Sequence, residues 1–237
     1  MKPLLLPLAF LAVLPMRAQQ DDALMAGLSA LKVQDHSKAE AAFNEALVAD
    51  PNNAKTWYYR AVNRLVMGDH DGALQDLDHL LLMEPADVHA MLRRAEVYRV
   101  LGDDQRANSD LNRVLGFHTV GPAAEHALFE LGRIAFAEDD LPLALAHYSK
   151  LVEIAPYNAM AWCDRGIVHS ALLADDNALT DLERAIELDP TLDQAYVAQA
   201  DVYFRQGRRQ EGCYALQQAH DLGDRTVERS LLINCDQ

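Results

Sequence analysis

The 237 residues contain no glycine-rich phosphate loop, no GxSxG, no CxxC and no HExxH, which removes the familiar nucleotide-binding, serine-hydrolase, redox and zinc-protease signatures. Positive charge is scarce: 21 Lys and Arg stand against 36 Asp and Glu, a formal net charge of −15. Such a surface repels nucleic acid and anionic membranes and keeps an extended chain soluble. Long apolar runs are missing too. The longest, Leu4 to Leu14, is interrupted by Pro7 and is well short of the about 20 residues a transmembrane helix needs. Cysteine is limited to Cys163, Cys213 and Cys235, so at least one thiol is left over from any pairing. No cofactor and no metal site are expected. His89 and His126 fall at matching places in successive segments, but two ligands without a third seldom hold a metal.

What the chain has in abundance is repetition. One small position reads Gly27, Ala61, Ala95, Gly132, Gly166, Ala200, and a second reads Ala39, Ala73, Ala107, Ala144, Ala178, Gly212. Every step is 34 residues except one of 37, between the third and fourth copies. Phe43, Leu77, Leu111, Tyr148, Leu182 and Leu216 keep the same period, and Pro51, Pro85, Pro156 and Pro190 punctuate it, with Thr119 in the third copy. Small residues let two helices cross closely, and proline ends one helix before the next begins. The stretch from Ala159 to Leu192, with Trp162, Gly166, Ala178, Leu182, Ala185 and Pro190, is the clearest copy.

A 34-residue period of two helices with these residues at these offsets resembles the tetratricopeptide repeat (TPR) family. The resemblance implies an all-α, right-handed superhelical solenoid. Six units are expected at about 20–53, 54–87, 88–121, 125–158, 159–192 and 193–226, with a capping helix and tail over 226–237. Each unit buries its apolar stripe only against its neighbours. Gly68, Gly102 and Gly207 share one offset just past a first helix, where a left-handed residue is expected. Ser37 with Glu40 reads as a capping box for the first unit's second helix. The acid pairs Asp139-Asp140 and Asp175-Asp176 are expected to cap amides before second helices. The turn-rich Gly116 to Pro122, which carries the insertion, reads either as a joint between three units and three or as a neutral loop.

Residues 1–18 fall outside the repeat. Lys2, the apolar run and Met16-Arg17-Ala18 read as a secretory signal peptide, so the expected location is outside the cytoplasm: a bacterial periplasm, or secreted. Cleavage removes two cations, leaving 19 minus 36, or −17, and no membrane insertion is expected afterwards. In an oxidising compartment Cys213 and Cys235 are expected to pair. The sixth unit's second helix and the closing helix run antiparallel, and the two residues lie about 12 and 13.5 Å along those axes from the connecting turn. Two unpaired thiols are the alternative. Cys163 reads as an ordinary buried or groove thiol and not as a nucleophile.

In TPR proteins first helices line a concave face that holds peptides or partner helices. Carried onto this chain, that implies a groove including Tyr58, Val62, His89, Leu92, Arg99, His126, Phe129, Arg133 and Phe136. Arginine beside aromatics is typical of binding hot spots. Two readings stand: the groove takes a partner segment carrying carboxylates, or Arg99 and Arg133 pair with Glu96 and Glu130 inside the array. The family's lysine and asparagine carboxylate-binding set is not found. The functional expectation is a noncatalytic adaptor or scaffold, with an accessory subunit of an envelope assembly or processing complex as the alternative. Self-association is open.

Overall fold

A computed structural model describes residues 22–235; the expected signal peptide, residues 1–18, lies outside them. The described chain is all-α. Helix α1 spans 22–32. It is followed by α2 (His36–Ala49), α3 (Ala54–Val66), α4 (His70–Met83), α5 (Val88–Val100) and α6 (Asp104–Phe117). Then come α7 (Pro122–Ala137), α8 (Leu141–Ile154), α9 (Ala159–Ala171), α10 (Asp175–Leu188), α11 (Asp193–Arg205) and α12 (Arg209–Asp221). A 3-10 turn over Arg225–Val227 leads into α13 (Glu228–Asn234). Odd-numbered α1 to α11 are first helices of hairpins and even-numbered α2 to α12 are second helices. The described chain divides into two compact bodies, one ending at Phe117 and the other beginning at His118, and the division falls in the segment that carries the three-residue insertion.

Small residues set how closely the helices of a hairpin approach. Phe43, Leu77, Leu111, Tyr148, Leu182 and Leu216 are all buried beside them. The partners are matched in volume. Glycine faces an aromatic ring in the pairs Gly27 with Phe43 and Gly132 with Tyr148, whereas Ala61, Ala95 and Ala200 accompany the leucines at the matching offset. A methyl group on Gly132 would lie 2.7 Å from the Tyr148 ring. Gly166 departs from this scheme, since it faces Leu182.

The turn inside each hairpin needs one left-handed residue. Gly68, Gly102 and Gly207 supply it with φ of 78°, 75° and 74°. The equivalent places in the other three hairpins hold Gln34, Asp139 and Leu173 at φ 58°, 62° and 59°, where a side chain costs energy. The next residue caps the second helix. Asp35, Asp69, Asp103 and Asp140 each accept a backbone N–H three residues on. This corrects the expected capping box: Asp35, not Ser37, is the N-cap of α2, and Glu40 accepts from Arg64 and Asn63 instead. Of the acid pairs, Asp140 caps as expected, while Asp139 is the left-handed residue. Asp175 and Asp176 lie inside the first turn of α10, whose N-cap is Ala174 without a side-chain bond, and Asp175 accepts from Arg205.

A second lock was not anticipated. Three hairpins carry an arginine on the first helix and an aspartate sixteen residues later on the second. Arg60 holds Asp76 at 2.6 and 2.9 Å. Arg94 holds Asp110 at 2.7 Å through both nitrogens, and Arg165 holds Asp181 likewise at 2.7 Å. All three carboxylates are buried. In two of these hairpins the guanidinium also lies over an indole, Arg60 on Trp57 and Arg165 on Trp162, each at 4.8 Å. The indole N–H in turn donates to the preceding proline carbonyl, Pro51 or Pro156. Buried paired charges of this kind add geometric specificity to a hairpin whose apolar stripe is otherwise generic.

Candidate protein-binding faces

In the first body the inner side chains of α1, α3 and α5 enclose an open concavity of about 610 Å³. Leu24, Met25 and Leu28 come from α1, Lys55, Tyr58 and Tyr59 from α3, and Glu84, Asp87 and His89 from the entry to α5. The residues sit there because the inner face of each first helix is left uncovered by its own second helix. Tyr58 meets Tyr59 edge-on, with centroids 5.5 Å apart. Tyr58 is also the leading cause holding the pKa of the neighbouring Arg93 guanidinium above its ordinary value, with Glu96 adding to it. Asp87 caps α5 by accepting from the Ala90 N–H at 2.9 Å. The concavity therefore combines apolar and aromatic side chains with Lys55 and His89 and with the carboxylates of Glu84 and Asp87.

The five groove residues expected in this body do not all gather there. Tyr58 and His89 line the concavity, whereas Val62, Leu92 and Arg99 lie farther along α3 and α5 outside its lining. Val62 and Leu92 are half-buried. Arg99 is near Asp104 at 4.0 Å, and Glu96 pairs with Arg93 at 2.9 Å.

The other four lie on one face of α7 in the second body, at spacings of three and four residues. Phe129 stands edge-on to Tyr148 at 6.4 Å, and the Arg133 guanidinium lies 5.8 Å from the Phe129 ring. Arg133 pairs with Glu130 at 3.3 Å, as the internal-pairing reading expected. His126 is exposed and Phe136 is 39% exposed. The structure adds a residue that sequence reasoning missed: Asp164 on α9. Burial pushes its carboxyl up to about 6, with Arg133 pulling the other way. Nothing in its local sequence marks it, because its desolvation comes from neighbouring helices.

Cys163 is fully buried, and burial pushes its thiol up to about 12, which leaves it protonated and inert at neutral pH. Among the described residues no group of three His, Cys, Asp or Glu comes together to hold a metal, and no helix is long and apolar enough to cross a membrane. Cys213 and Cys235 form a disulfide with Cα atoms 5.6 Å apart.

The family profile described as tetratricopeptide repeat matches residues 24–62, 62–116 and 105–159, together more than half of the chain. This chain belongs to the tetratricopeptide repeat family. Its TPR units are 32% identical over 98 residues to the small glutamine-rich tetratricopeptide repeat-containing protein 2 of Saccharomyces cerevisiae, covering 41% of this chain and 28% of that protein. They are 32% identical over 117 residues to the SGT1 homolog of Oryza sativa, covering 48% of this chain and 32% of that protein. The TPR array thus spans about a third or less of the length of these relatives. Among solved structures, MamA superposes with a TM-score of 0.63 at 21% identity, over 71% of this chain and 96% of MamA. YrrB, described as a TPR protein with an unusual peptide-binding site, superposes with a TM-score of 0.64 at 19% identity, over 81% and 97%. At these identities the likeness concerns the TPR fold alone.

Proposed function

We propose that this TPR protein is a noncatalytic adaptor that binds a peptide or partner protein on the inner faces of its first helices. The observation that carries this is the concavity of about 610 Å³ built by three successive first helices, lined by exposed Met25 and half-buried Leu28 and Tyr58, with Lys55, His89, Glu84 and Asp87 beside them. Apolar side chains left uncovered next to fixed polar groups are what a binding face needs, and YrrB is a TPR protein described as having a peptide-binding site. In this reading Lys55 and Arg93 in the first body, and Arg133 in the second, meet a partner segment that carries carboxylates. The protein works outside the cytoplasm after removal of residues 1–18. The Cys213 to Cys235 disulfide suits such a compartment.

The test is capture from an envelope extract by residues 19–237, comparing two inner-face variants with an outer-face control. Lys55→Glu with Tyr58→Ala, or Phe129→Ala with Arg133→Glu, is expected to reduce capture of a partner at least tenfold. Val48→Ser with Leu82→Ser, exposed on second helices, is expected to leave it unchanged. Loss by the control alone overturns the inner-face reading, and no partner retained by any form overturns the adaptor reading. Export is checked separately by expressing residues 1–237 and measuring the intact mass of the purified protein: a chain starting at Gln19 supports it, and a chain retaining residues 1–18 refutes it.

A further inference from the structure

The end of the last hairpin is closed by very little. Helix α13 has seven residues, none of them fully buried, and a helix this short does not persist on its own in water. Its hold on the array comes from Val227 in the preceding turn and from Leu231 and Cys235, which pack on Ala200, Ala215, Leu216 and Ala219. Arg209 adds a bond to the Asn234 carbonyl, and the disulfide to Cys213 ties the far end. Leu232 and Ile233 point outward, 66% and 55% exposed.

The face beneath is not an ordinary molecular end. One hairpin earlier, Leu182 and Ala185 of α10, at the same offsets as Leu216 and Ala219, are covered by Ala195 of the next first helix, α11. The face under α13 is therefore the surface each hairpin offers to its successor, and α13 stands where a seventh first helix would begin. The cap also defines what that surface accepts: a helical segment presenting two aliphatic side chains four residues apart, as Val227 and Leu231 do.

We propose that this cap is a thiol-released cover. A dithiol reductant delivers two electrons and two protons, converting the Cys213–Cys235 disulfide into two thiols while becoming a disulfide itself. The cap then leaves, and the uncovered face takes an amphipathic helix from a partner protein bearing aliphatic residues four apart. This surface is separate from the inner faces of the first helices, so it stands or falls independently of the adaptor reading. The disulfide closes a sequence separation of 22 residues, and losing that constraint is expected to raise the opening of the cap by roughly a hundredfold.

Hydrogen exchange on the intact protein, oxidised and after dithiothreitol, tests the release. Amides of residues 225–234 are expected to exchange at least tenfold faster after reduction, with α11 and α12 protected as before. Unchanged exchange of the cap overturns the proposal. So does joint loss of α11 and α12 protection, since the cap would then be part of the last hairpin's fold and not a cover. The docking step uses a fluorescent peptide of residues 224–234 as probe. A variant with Cys213→Ser, Cys235→Ser, Val227→Asp and Leu231→Asp, whose own cap cannot compete, is expected to bind it at least tenfold more tightly than the oxidised protein. Equal binding by both, or none by a variant that keeps α11 and α12 protected, refutes the docking face.

Discussion

The Arg165 to Asp181 lock makes a prediction that separates a buried ion pair from a decorative one. Asp181 has a 5% exposed side chain, and its other basic neighbour is His169 at 3.7 Å, whose pKa burial lowers. Arg165→Leu therefore strands a carboxylate in the interior, at an expected cost of about 3–5 kcal/mol, with about 0.5–1 kcal/mol more from the lost contact with Trp162. Asp181→Leu costs less, about 2 kcal/mol, because the Arg165 side chain is 19% exposed and its guanidinium can turn toward water. The double variant leaves no stranded charge and is expected within about 1 kcal/mol of wild type. The coupling energy is then about 4–5 kcal/mol or more, far above that of a surface pair. The assay is urea unfolding followed by the fluorescence of Trp162 in a Trp57→Phe background, where it is the one remaining tryptophan. The signal then reports the hairpin under test, which matters in a repeat array that need not unfold in one step. A coupling energy below about 0.5 kcal/mol refutes the view that the pair acts as a buried lock.

The turn between α9 and α10 lacks both devices used elsewhere, so Leu173→Gly and Ala174→Asp are each expected to stabilise the second body by about 1 kcal/mol, read as a higher urea midpoint; a lower midpoint for either refutes the turn argument. Gly132→Ala, which forces a methyl toward the Tyr148 ring, is expected to lower stability by about 2 kcal/mol. Gly166→Ala, whose methyl would lie 2.8 Å from Leu182, is expected to cost less, about 1 kcal/mol, since three sister hairpins already pair alanine with leucine and the leucine can shift where a ring cannot; equal losses at the two sites contradict the volume matching. The Asp164 carboxyl, raised from 3.8 to about 6 on folding, binds more protons in the folded state between those values. Its contribution is complete below about pH 4 and is lost as pH rises through 6, on the order of 2 kcal/mol. Comparing urea midpoints of wild type and Asp164→Asn from pH 4 to 7 checks this, and parallel curves refute it.

The fold was legible because the signal recurs. Two small positions, an apolar position and a proline at a common period leave little freedom, and the glycines at 68, 102 and 207 marked the left-handed turns correctly. Reading Ser37 as a cap failed because capping residues are common near helix starts, and only the backbone shows that Asp35 is the residue whose carboxylate reaches the Lys38 amide. The paired Arg and Asp residues sixteen apart were visible in retrospect at 60 and 76, 94 and 110, 165 and 181. In a chain with this many acids, spacing alone did not distinguish them from surface charge. The groove was legible as a set of offsets but not as a site. The offsets gave Tyr58, His89, Phe129 and Arg133 equal standing with Val62, Leu92 and Arg99, and only packing placed Tyr58 and His89 together in the open concavity.

The sequence by itself determined the repeat length, the all-helical hairpins and the positions of close crossing, and brought Cys213 and Cys235 to one height, because each depends on residues a fixed distance apart along one chain. Tertiary structure alone decided which carboxylates are held by arginines, which inner residues share a concavity, and that Asp164 loses its water. Those properties depend on what neighbouring helices bring close and exclude, and desolvation is set by everything surrounding a group and not by its neighbours in sequence.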